Sequence, residues 1–576
     1  MSPDSHPHLS LKLPVWRTRL VLAFMVLAFF GLGLRAVVLQ GMQTDELQAQ
    51  GAMRYGRLLE MPAHRGMITD RNGEPLAVST PVESVAFGPS KFPVEIEQRA
   101  QLARLLEMDR SELEHRIETG HKSFVYLKRH LPPEQAARVM QLGIPGVFTQ
   151  REHRRYYPAG DVMAHVLGFT DVDDQGREGL ELAFQEWLAG RPGSRRVIQD
   201  RRGRVIEDVE SVRAPRQGRD LALSIDLKLQ YLAYRELKNA VSLHRAKAGS
   251  IVVLDVTTGE VLALANAPTY NPNNRARYDT DRARNRALVD LFEPGSTLKP
   301  FTVAAALESG QYRPDSVIET AGGALTLAGH TIRDAHPGGN LTVSQVIQKS
   351  SNVGTARMAL SLPSKDIWDV LSESGFGTVP RVGFPGEAGG RLRDPRHWRP
   401  IEQATMSYGH GISVSLMQLA RAYTIFCGNG ELVPLSLVKR GEQPPSVPVI
   451  SAPTAHALRD MLQLVTQPGG TAPRAQVAGY RVAGKTGTAH KLVNGAYAAD
   501  RYASSFVGFA PATHPRLVVA VLIDEPTAGQ YYGGQVAAPV AAAVLSGALR
   551  VLSVPPDLPV PRTPLPETLD DIAEEV

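Results

Sequence analysis

The 576-residue chain contains a single cysteine, Cys427, which excludes an intrachain disulfide and a cysteine-based metal cluster. It also lacks a marked excess of either charge, because 63 basic residues face 58 acidic ones and the net charge is only +5. A nucleic-acid-binding surface needs concentrated positive charge, so that class of function is not indicated. The length predicts two or three domains, and the hydrophobic fraction of 43% can form their cores.

One long apolar run lies near the N-terminus. Residues 20–34 are uninterrupted apolar sequence, and the stretch from about Arg19 to Leu39 has roughly the 20 residues that cross a bilayer. Basic residues precede the run, so the N-terminus should stay cytoplasmic and the bulk of the chain should lie outside. We expect a cytoplasmic tail at 1–17 and a transmembrane anchor at 18–40. A cleaved signal peptide is the alternative, but no small-x-small cleavage site follows the run.

Three short strings follow one another along the chain: Ser296-Thr297-Leu298-Lys299, Ser350-Ser351-Asn352 and Lys485-Thr486-Gly487-Thr488. They supply a nucleophile, an amine that can accept its proton, a polar relay and a strand edge with two hydroxyls, which predicts acyl transfer through a serine ester. Each string alone is a weak signal. Ser436 and Lys439 form a second Ser-x-x-Lys match, which we interpret as an ordinary strand-like segment.

The first string precedes a helix predicted over 301–307. Ser296 would lie near the helix N-terminus, where free N–H groups and the helix dipole favour a developing oxyanion. Lys299, three residues on, shares a helix face with Ser296 and can accept its proton only when neutral. Its pKa must therefore be lowered by burial or by a nearby cation such as Lys485. The alternative is an N-cap serine followed by a surface lysine.

The second string follows a helix predicted over 341–349. Ser350 and Asn352 would lie on the loop after it, where a hydroxyl and an amide can relay a proton and bind a substrate amide. An ordinary polar helix end is the alternative.

The third string begins a probable strand. Alternation places Thr486 and Thr488 on one face and Lys485 on the other. The two hydroxyls suit a substrate carboxylate, Gly487 lets a ligand backbone approach, and the Thr488 N–H could complete an oxyanion site with that of Ser296. A polar edge strand protected by lysine is the alternative.

Together the strings resemble the class B penicillin-binding proteins, which are peptidoglycan DD-transpeptidases, and most closely their division-specific, FtsI-like type. Three N-terminal segments also resemble motifs of that family: Arg65-Gly66-Met67-Ile68-Thr69-Asp70-Arg71-Asn72-Gly73, Arg155-Tyr156-Tyr157-Pro158-Ala159-Gly160 and Gly176-Arg177-Glu178-Gly179-Leu180-Glu181. The residue patterns from 221 onward indicate an α+β class. The resemblance implies a five-stranded antiparallel sheet between helical layers, with an N-terminal transmembrane helix and an α+β pedestal.

The resemblance also implies a domain order. We expect a non-catalytic pedestal of the dimerisation type at 41–220, a transpeptidase domain at 221–553 and a disordered proline-rich, acidic tail at 554–576. No motif of a glycosyltransferase domain is found.

By the same resemblance, the chain would cross-link stem peptides of septal cell wall, attacking a D-Ala–D-Ala bond and forming an acyl-enzyme on Ser296. Lys299 would be the base, Ser350 and Lys485 would carry the proton, Asn352 would position the peptide, and Thr486 and Thr488 would bind its carboxylate. No metal or organic cofactor is implied. The implied partners are stem peptides, β-lactams, a SEDS-type glycan polymerase and other divisome proteins, at the septum of the inner membrane.

Aromatic residues are expected to line the cleft: Tyr408, Tyr502, Tyr531 and Tyr532. Any one of the three later tyrosines could instead be ordinary packing. His410 departs from the family, in which a second aromatic is common at this position. A histidine can stack, but it is smaller than tyrosine and can become charged near neutral pH, which affects drug affinity.

Three alternatives share these motifs. A serine β-lactamase would hydrolyse the ester, but it needs neither an anchor nor a pedestal. A membrane-anchored β-lactam sensor would carry a protease domain, and no His-Glu-x-x-His signature is present. A division scaffold with a vestigial site is disfavoured because all three strings are intact.

Overall fold

The computed structural model describes residues 15–44, 56–61, 63–88, 94–120, 124–199, 205–276, 278–442, 444–493 and 495–559. Its contacts define two compact units, each discontinuous in sequence. The first unit comprises Met1–Ala63, Val82–Glu152 and Arg191–Arg216; the second comprises His64–Pro81, His153–Gly190 and Gln217–Val576. A single cut at residue 220 therefore does not separate the units, because three stretches of the expected pedestal belong to the second one: His64–Pro81, His153–Gly190 and residues 217–220.

The first unit begins with an apolar helix. It spans Val15–Val37, continues as a π-helical turn over Val38–Met42, and has no buried residue. By length and composition it can cross a membrane. Among the described residues, Gly533–Val551 passes the same test, but more than half of it is buried, as expected of a core helix.

The remainder of the first unit combines two β-structures with three helices. Gly56–Met61, Gly193–Gln199 and Val205–Arg213 form an antiparallel sheet in that order. Val125–Leu131 pairs antiparallel with the end of the strand Pro75–Phe87, which also pairs with Val147–Tyr156. The helices are Ile96–Leu105, Arg110–Gly120 and Pro133–Gln141. Leu102, Leu113 and Leu127 belong to the apolar core of this unit.

A five-stranded antiparallel sheet is the centre of the second unit. Its strand order is Val261–Ala267, Ala248–Asp255, Leu517–Asp524, Ala496–Ala510 and Ala483–Val493. The first two strands are buried at every position, which explains their near-continuous apolar sequence. Leu227–Leu243, Ala538–Val551 and Leu416–Ala422 are among the helices packed against the sheet. The predicted fold class is confirmed.

Short elements complete the second unit. Ile68–Thr69 lies between the start of Pro75–Phe87 and Leu221–Ala222. The paired short strands are Val317–Ile318 with Leu341–Thr342, Ala324–Leu327 with His330–Arg333, and Glu431–Leu432 with Val447–Pro448. The remaining α-helices are Ala164–Leu167, Gly179–Ala183, Gln185–Leu188, Thr280–Ala283, Arg286–Val289, Lys299–Glu308, Val343–Lys349, Asn352–Leu360, Ser364–Glu373, Pro400–Met406, Ala452–Thr466 and Gly533–Val536.

The chain beyond the last helix corrects one expectation. Tyr480 donates its hydroxyl to the Val554 carbonyl at 2.6 Å, and Asp557 accepts the Arg481 N–H at 2.7 Å. The Leu558 N–H also reaches the Gly479 carbonyl. The disorder predicted from residue 554 is therefore wrong for 554–558, because residues 479–481, which are remote in sequence, hydrogen-bond to this segment. Residues 560–576 of the predicted tail lie outside the described residues.

The three N-terminal segments that resemble family motifs meet in one buried ion cluster of the second unit. Glu181 accepts a hydrogen bond from Arg65 Nε at 2.7 Å and from Arg155 Nε at 2.6 Å. Arg65 and Glu181 are fully buried and Arg155 nearly so. A buried carboxylate between two guanidiniums is stable only while the charges remain together.

We expect Glu181→Ala to lower the free energy of unfolding by about 3–5 kcal/mol, because two guanidiniums lose their buried counter-charge. The measurement is urea unfolding of the full-length chain in detergent. Glu114→Ala is the matched control, since it breaks an exposed helical pair with Arg110 that should contribute less than about 1 kcal/mol. Equal stabilities of the two variants would contradict the prediction.

Candidate active site

Ser296 lies at the start of a helix, as predicted. Gly295–Leu298 forms a 3-10 turn that leads into the helix Lys299–Glu308, which we call the nucleophile helix. The turn is fixed by the Thr297 hydroxyl, which donates to the Pro294 carbonyl at 2.8 Å. A Cβ at Gly409 would lie 2.1 Å from the Gly295 carbonyl oxygen, so only glycine permits this approach. Within the described part of the chain, the Ser296 hydroxyl has no hydrogen-bond partner.

Aromatic packing anchors the nucleophile helix. The Phe301 ring contacts Phe376, Tyr423 and Phe426, with centroid separations of 5.2, 5.7 and 5.0 Å. The Tyr423 hydroxyl donates to the Thr297 carbonyl at 2.7 Å. These contacts connect the core of the unit directly to the turn that carries Ser296.

Two lysine amines converge on one hydroxyl. Lys299 Nζ lies 3.1 Å from Ser350 Oγ and 2.5 Å from the Ser350 carbonyl oxygen. Lys485 Nζ lies 2.9 Å from the same Ser350 Oγ. Three strings far apart in sequence thus meet at Ser350, and neither lysine forms an ion pair with a described carboxylate. This juxtaposition rules out the alternative in which Lys299 is a surface charge.

Burial changes the protonation of both amines. It lowers the pKa of Lys299 well below its usual value, the positive charge of Lys485 lowers it further, and the Asp334 carboxylate acts in the opposite direction. Burial also lowers the pKa of Lys485 to about 7. The sequence had pointed to Lys485 as the neighbouring cation, but desolvation is the larger cause of the Lys299 shift. An amine kept neutral in this way can accept a proton.

The Ser350 turn differs from its prediction at Asn352. Ser350 is the left-handed residue that ends the helix Val343–Lys349, with φ of 59°. Asn352 is not on a loop, because it is the first residue of the helix Asn352–Leu360. Its Nδ2 donates to the Arg333 carbonyl at 2.8 Å, which leaves Oδ1 without a partner among the described residues. The amide oxygen is thereby available to a ligand N–H.

Sequence reasoning missed Asp334, which fixes this turn. Its carboxylate accepts hydrogen bonds from the Ser351 hydroxyl at 2.7 Å and from the N–H groups of Asn352 and Val353 at 2.5 and 2.9 Å. These donors belong to the start of a helix, where a carboxylate is favourable. No sequence signal links Asp334 to the second string, since a separate hairpin brings it there.

The third string occupies the edge strand Ala483–Val493, as predicted. Lys485 points to one side, and the Thr486 and Thr488 hydroxyls point to the other. Thr486 is hydrogen-bonded to Thr471 at 2.8 Å, and Thr488 Oγ1 accepts the Gly533 N–H at 3.0 Å. Both hydroxyls are therefore oriented by the protein, and Thr471 is a further residue that the sequence did not identify.

Gly487 permits a close approach, but of the protein itself. A Cβ at this position would lie 2.7 Å from the Pro294 carbonyl oxygen and 2.5 Å from the Ser505 hydroxyl. Glycine thus lets the edge strand pack against the turn that carries Ser296. That a ligand backbone also approaches at Gly487 stays a prediction.

Two family domains match the chain. The penicillin-binding protein transpeptidase domain matches residues 249–546, and the penicillin-binding protein dimerisation domain matches residues 60–223. The chain belongs to the penicillin-binding protein transpeptidases. The family resemblance inferred from the three strings is confirmed.

Curated relatives extend over nearly the whole chain. The probable peptidoglycan D,D-transpeptidase PenA of Neisseria meningitidis is 43% identical over 549 residues, 94% of each chain. The peptidoglycan D,D-transpeptidase FtsI of Escherichia coli is 42% identical over 94% of this chain and 93% of that protein. A solved transpeptidase domain of Burkholderia pseudomallei penicillin-binding protein 3 is 49% identical and has a TM-score of 0.54, covering 58% of this chain and 98% of that one.

The three later tyrosines form one aromatic stack. Tyr502 lies parallel to Tyr531 at a centroid separation of 4.2 Å, and Tyr531 contacts Tyr532 at 4.5 Å. His490, on the edge strand, contacts the Tyr502 ring at a centroid separation of 4.6 Å. The three tyrosine rings thus pack against one another. Tyr532 is exposed, so part of its ring is accessible to a ligand.

The His410 ring contacts those of Tyr408 and Tyr497 edge-on. Burial lowers the pKa of His410, so its imidazole is neutral near pH 7. The charged form considered from the sequence is disfavoured for this reason. Among the described residues, no group of three or more His, Cys, Asp or Glu side chains is arranged to hold a metal ion.

We expect Lys299→Met to stabilise the fold by about 1–2 kcal/mol at pH 6, because a buried amine is replaced by an apolar chain of similar length. The Lys299 pKa is lower in the folded state than in the unfolded state, so wild-type stability rises with pH between those two values. The stability gained by Lys299→Met should therefore decrease toward pH 9. Unfolding in detergent at both pH values tests this, with exposed Lys228→Met as the control that should show no pH-dependent gain.

Proposed function

We propose that the chain is a serine-type peptidoglycan D,D-transpeptidase that acts through an acyl-enzyme on Ser296. The observation that carries the proposal is the convergence of two buried amines, Lys299 and Lys485, on the Ser350 hydroxyl beside the nucleophile turn. The names of the curated relatives support the substrate, because they are called peptidoglycan D,D-transpeptidases.

In the proposed first step, Ser296 Oγ attacks the carbonyl carbon of a D-Ala–D-Ala bond in a donor stem peptide. Its proton passes to the neutral Lys299 amine. The N–H groups of Ser296 and Thr488 stabilise the oxyanion, and collapse of this intermediate breaks the peptide bond. Ser350 and Lys485 deliver a proton to the departing amine, and the products are the serine ester and free D-alanine.

Polar side chains around the nucleophile would hold the donor peptide. Asn352 has an unpartnered amide oxygen for a backbone N–H of the donor, and Thr486 and Thr488 have hydroxyls for its terminal carboxylate. The aromatic residues would contact the remainder of the ligand: Tyr408, His410, Tyr502, Tyr531 and Tyr532. In the second step, the amine of another stem peptide attacks the ester and forms the cross-link. A β-lactam would enter the first step and stall as a stable acyl-enzyme.

The remainder of the chain would position the catalytic unit at the cell wall. We propose that the helix within 18–40 crosses the inner membrane once, with 1–17 in the cytoplasm and the catalytic unit in the periplasm at the septum. The region 41–220 would act as a non-catalytic pedestal for the transpeptidase domain at 221–553. A SEDS-type glycan polymerase and other divisome proteins are the proposed partners, as the family resemblance implies.

Penicillin added to the full-length chain in detergent should produce a covalent mass adduct on the wild type that persists for hours. Ser296→Ala should give no adduct, because the nucleophile is removed. Intact-protein mass spectrometry is the measurement. Rapid clearance of the adduct would favour a β-lactamase, and its absence from the wild type would favour a scaffold.

Lys299→Arg should lower the acylation rate by at least about a thousandfold, since a guanidinium keeps a positive charge but cannot act as a base. Stopped-flow acylation by a chromogenic cephalosporin measures the rate. Lys349→Arg is the control, because its Nζ is exposed and donates to the Gly469 carbonyl. A similar loss in both variants would contradict the assigned role.

His410→Tyr should change acylation rates unequally across several β-lactams, since it enlarges a ring that contacts Tyr408 and Tyr497. We expect shifts of about three- to tenfold, corresponding to roughly 1 kcal/mol of ring contact. Second-order acylation constants for a penicillin, a cephalosporin and a monobactam test the prediction. Unchanged acylation constants for all three β-lactams would show that His410 does not contact the drug.

A further inference from the structure

Two packed helices of the second unit run in opposite directions. Leu227–Leu243 leads into the strand Ala248–Asp255, so it ends beside the start of that strand. After Ala538–Val551 the chain reaches Val554, which accepts the Tyr480 hydroxyl just before the edge strand begins. The start of the edge strand aligns with the end of Ala248–Asp255. The first turn of Leu227–Leu243 therefore lies beside the last turn of Ala538–Val551.

These two helix ends share an exposed surface. The helices touch at Gly547, where a Cβ would lie 2.4 Å from Leu232 Cδ2. Around this contact lie five residues that we call the basic patch: Lys228, Tyr231, Arg235, Arg550 and Val551. The Tyr231 side chain is 56% exposed and that of Val551 is 45% exposed, so apolar surface is open to solvent among the three cations.

The charges of the basic patch are only partly balanced. Arg235 has a counter-charge, the Glu236 carboxylate at 2.8 Å. Lys228 forms no ion pair in the part of the chain that the structure describes, and Arg550 Nε donates only to the Ser546 carbonyl of its own helix, at 3.1 Å. Asp226 precedes Lys228, but its carboxylate is buried and caps the helix N–H groups. Two cations of the patch therefore remain without a carboxylate partner among the described residues.

The chain itself contains a segment of opposite charge. Residues 560–576, outside the described residues, contain one basic residue, Arg562, and five acidic ones: Glu567, Asp570, Asp571, Glu574 and Glu575. Leu569, Ile572 and Val576 recur at the spacing of one helix face. The segment 569–576 thus combines carboxylates with an apolar face, and so complements both the cations and the exposed apolar side chains of the basic patch.

This acidic segment is close enough to reach the basic patch. The Leu558 N–H donates to the Gly479 carbonyl at 3.0 Å, which fixes the point from which the segment departs. Val551 lies seven residues before Leu558, so the two are at most about 25 Å apart. Leu569 lies eleven residues after Leu558, and a proline-rich chain of that length spans about 34 Å. The linker is therefore longer than the distance it has to cover.

We propose that the basic patch is the docking site of the acidic segment 569–576 of the same chain. The carboxylates of the segment pair with Lys228 and Arg550, and its apolar side chains cover Tyr231 and Val551. A segment this short has no core of its own, so it can become ordered only against another surface. The contact is independent of the catalytic chemistry, and it weakens as salt screens the exposed charges.

The reactivity of an introduced thiol tests the docking. Cys427 is buried, so Val551→Cys places one accessible thiol in the basic patch. The full-length chain in neutral detergent is alkylated with N-ethylmaleimide, and the rate is followed by intact-protein mass. Replacing the segment carboxylates by Asp570→Asn, Asp571→Asn, Glu574→Gln and Glu575→Gln should raise the rate at least about fivefold, because the thiol reacts only while the segment is undocked. An unchanged rate would overturn the proposal.

Val447→Cys is the matched control, because Val447 is 55% exposed and lies on a different strand. The same four replacements should change its alkylation rate by less than about twofold, since no segment covers it. An equal rise at both positions would overturn the proposal, because the effect would then not be local to the basic patch.

A charge-reversal variant separates uncovering of the thiol from a change in its ionisation. Lys228→Glu with Arg550→Glu should also raise the alkylation rate of the thiol introduced at position 551, because the acidic segment is repelled. Added carboxylates disfavour the reactive thiolate, so a purely electrostatic effect on the thiol would lower the rate instead. A fall in the rate, or no change, would overturn the docking.

Carbodiimide cross-linking identifies the chain that supplies the segment. A mixture of unlabelled and isotope-labelled full-length chains should give links from Lys228 to carboxylates of 569–576 within one chain. The exposed pair Lys365 and Asp369, 2.5 Å apart, is the internal positive control. Links from Lys228 only between differently labelled chains would overturn the proposal in favour of a second copy. Formation of the Lys365 link without any Lys228 link would overturn it in favour of a patch open to other anionic molecules.

Discussion

The catalytic unit depends on two amines buried around one hydroxyl, neither of which forms an ion pair with a described carboxylate. An ammonium group in such a place is costly, so the fold favours the neutral form of Lys299 and lowers the pKa of Lys485 to about 7. The same cost makes the site less stable than an apolar packing of equal volume would be. Active sites of other proteins also lose stability in this way where a base or nucleophile must be activated.

The surrounding elements act to hold that arrangement. Aromatic contacts from Phe301 fix the nucleophile helix, and Asp334 fixes the turn that carries Ser350. The edge strand packs on the nucleophile turn through Gly487, where any side chain would collide with the Pro294 carbonyl. Each of the three strings thus belongs to a separate element, and each element is positioned by contacts outside its own string. Small shifts in any of them would separate the amines from Ser350.

Glu293 precedes the nucleophile turn and accepts hydrogen bonds from the Gly411 N–H and the Tyr497 hydroxyl. The N-terminal motif segments contribute at a distance, because Arg65, Arg155 and Glu181 form a buried cluster inside the same unit.

The sequence by itself determined the family, the fold class, the apolar helix and the three strings. It also placed Ser296 at a helix start and Lys485 opposite the two threonines on a strand, because helix and strand periodicity are local properties. The sequence also favoured an ordinary strand-like segment for the second Ser-x-x-Lys match at Ser436 and Lys439, and the structure agrees. The Ser436 hydroxyl donates to the Val438 carbonyl and Lys439 Nζ donates to the Arg71 carbonyl, so neither meets a second amine.

Only the tertiary structure decided that Lys299 is buried, that Asp334 caps the Ser350 turn, that His410 is neutral and that Val554 is held in place. The physical reason is the same in each case. Burial, dielectric environment and hydrogen-bond partners are set by side chains that are remote in sequence, and a single sequence records the residues but not which of them meet.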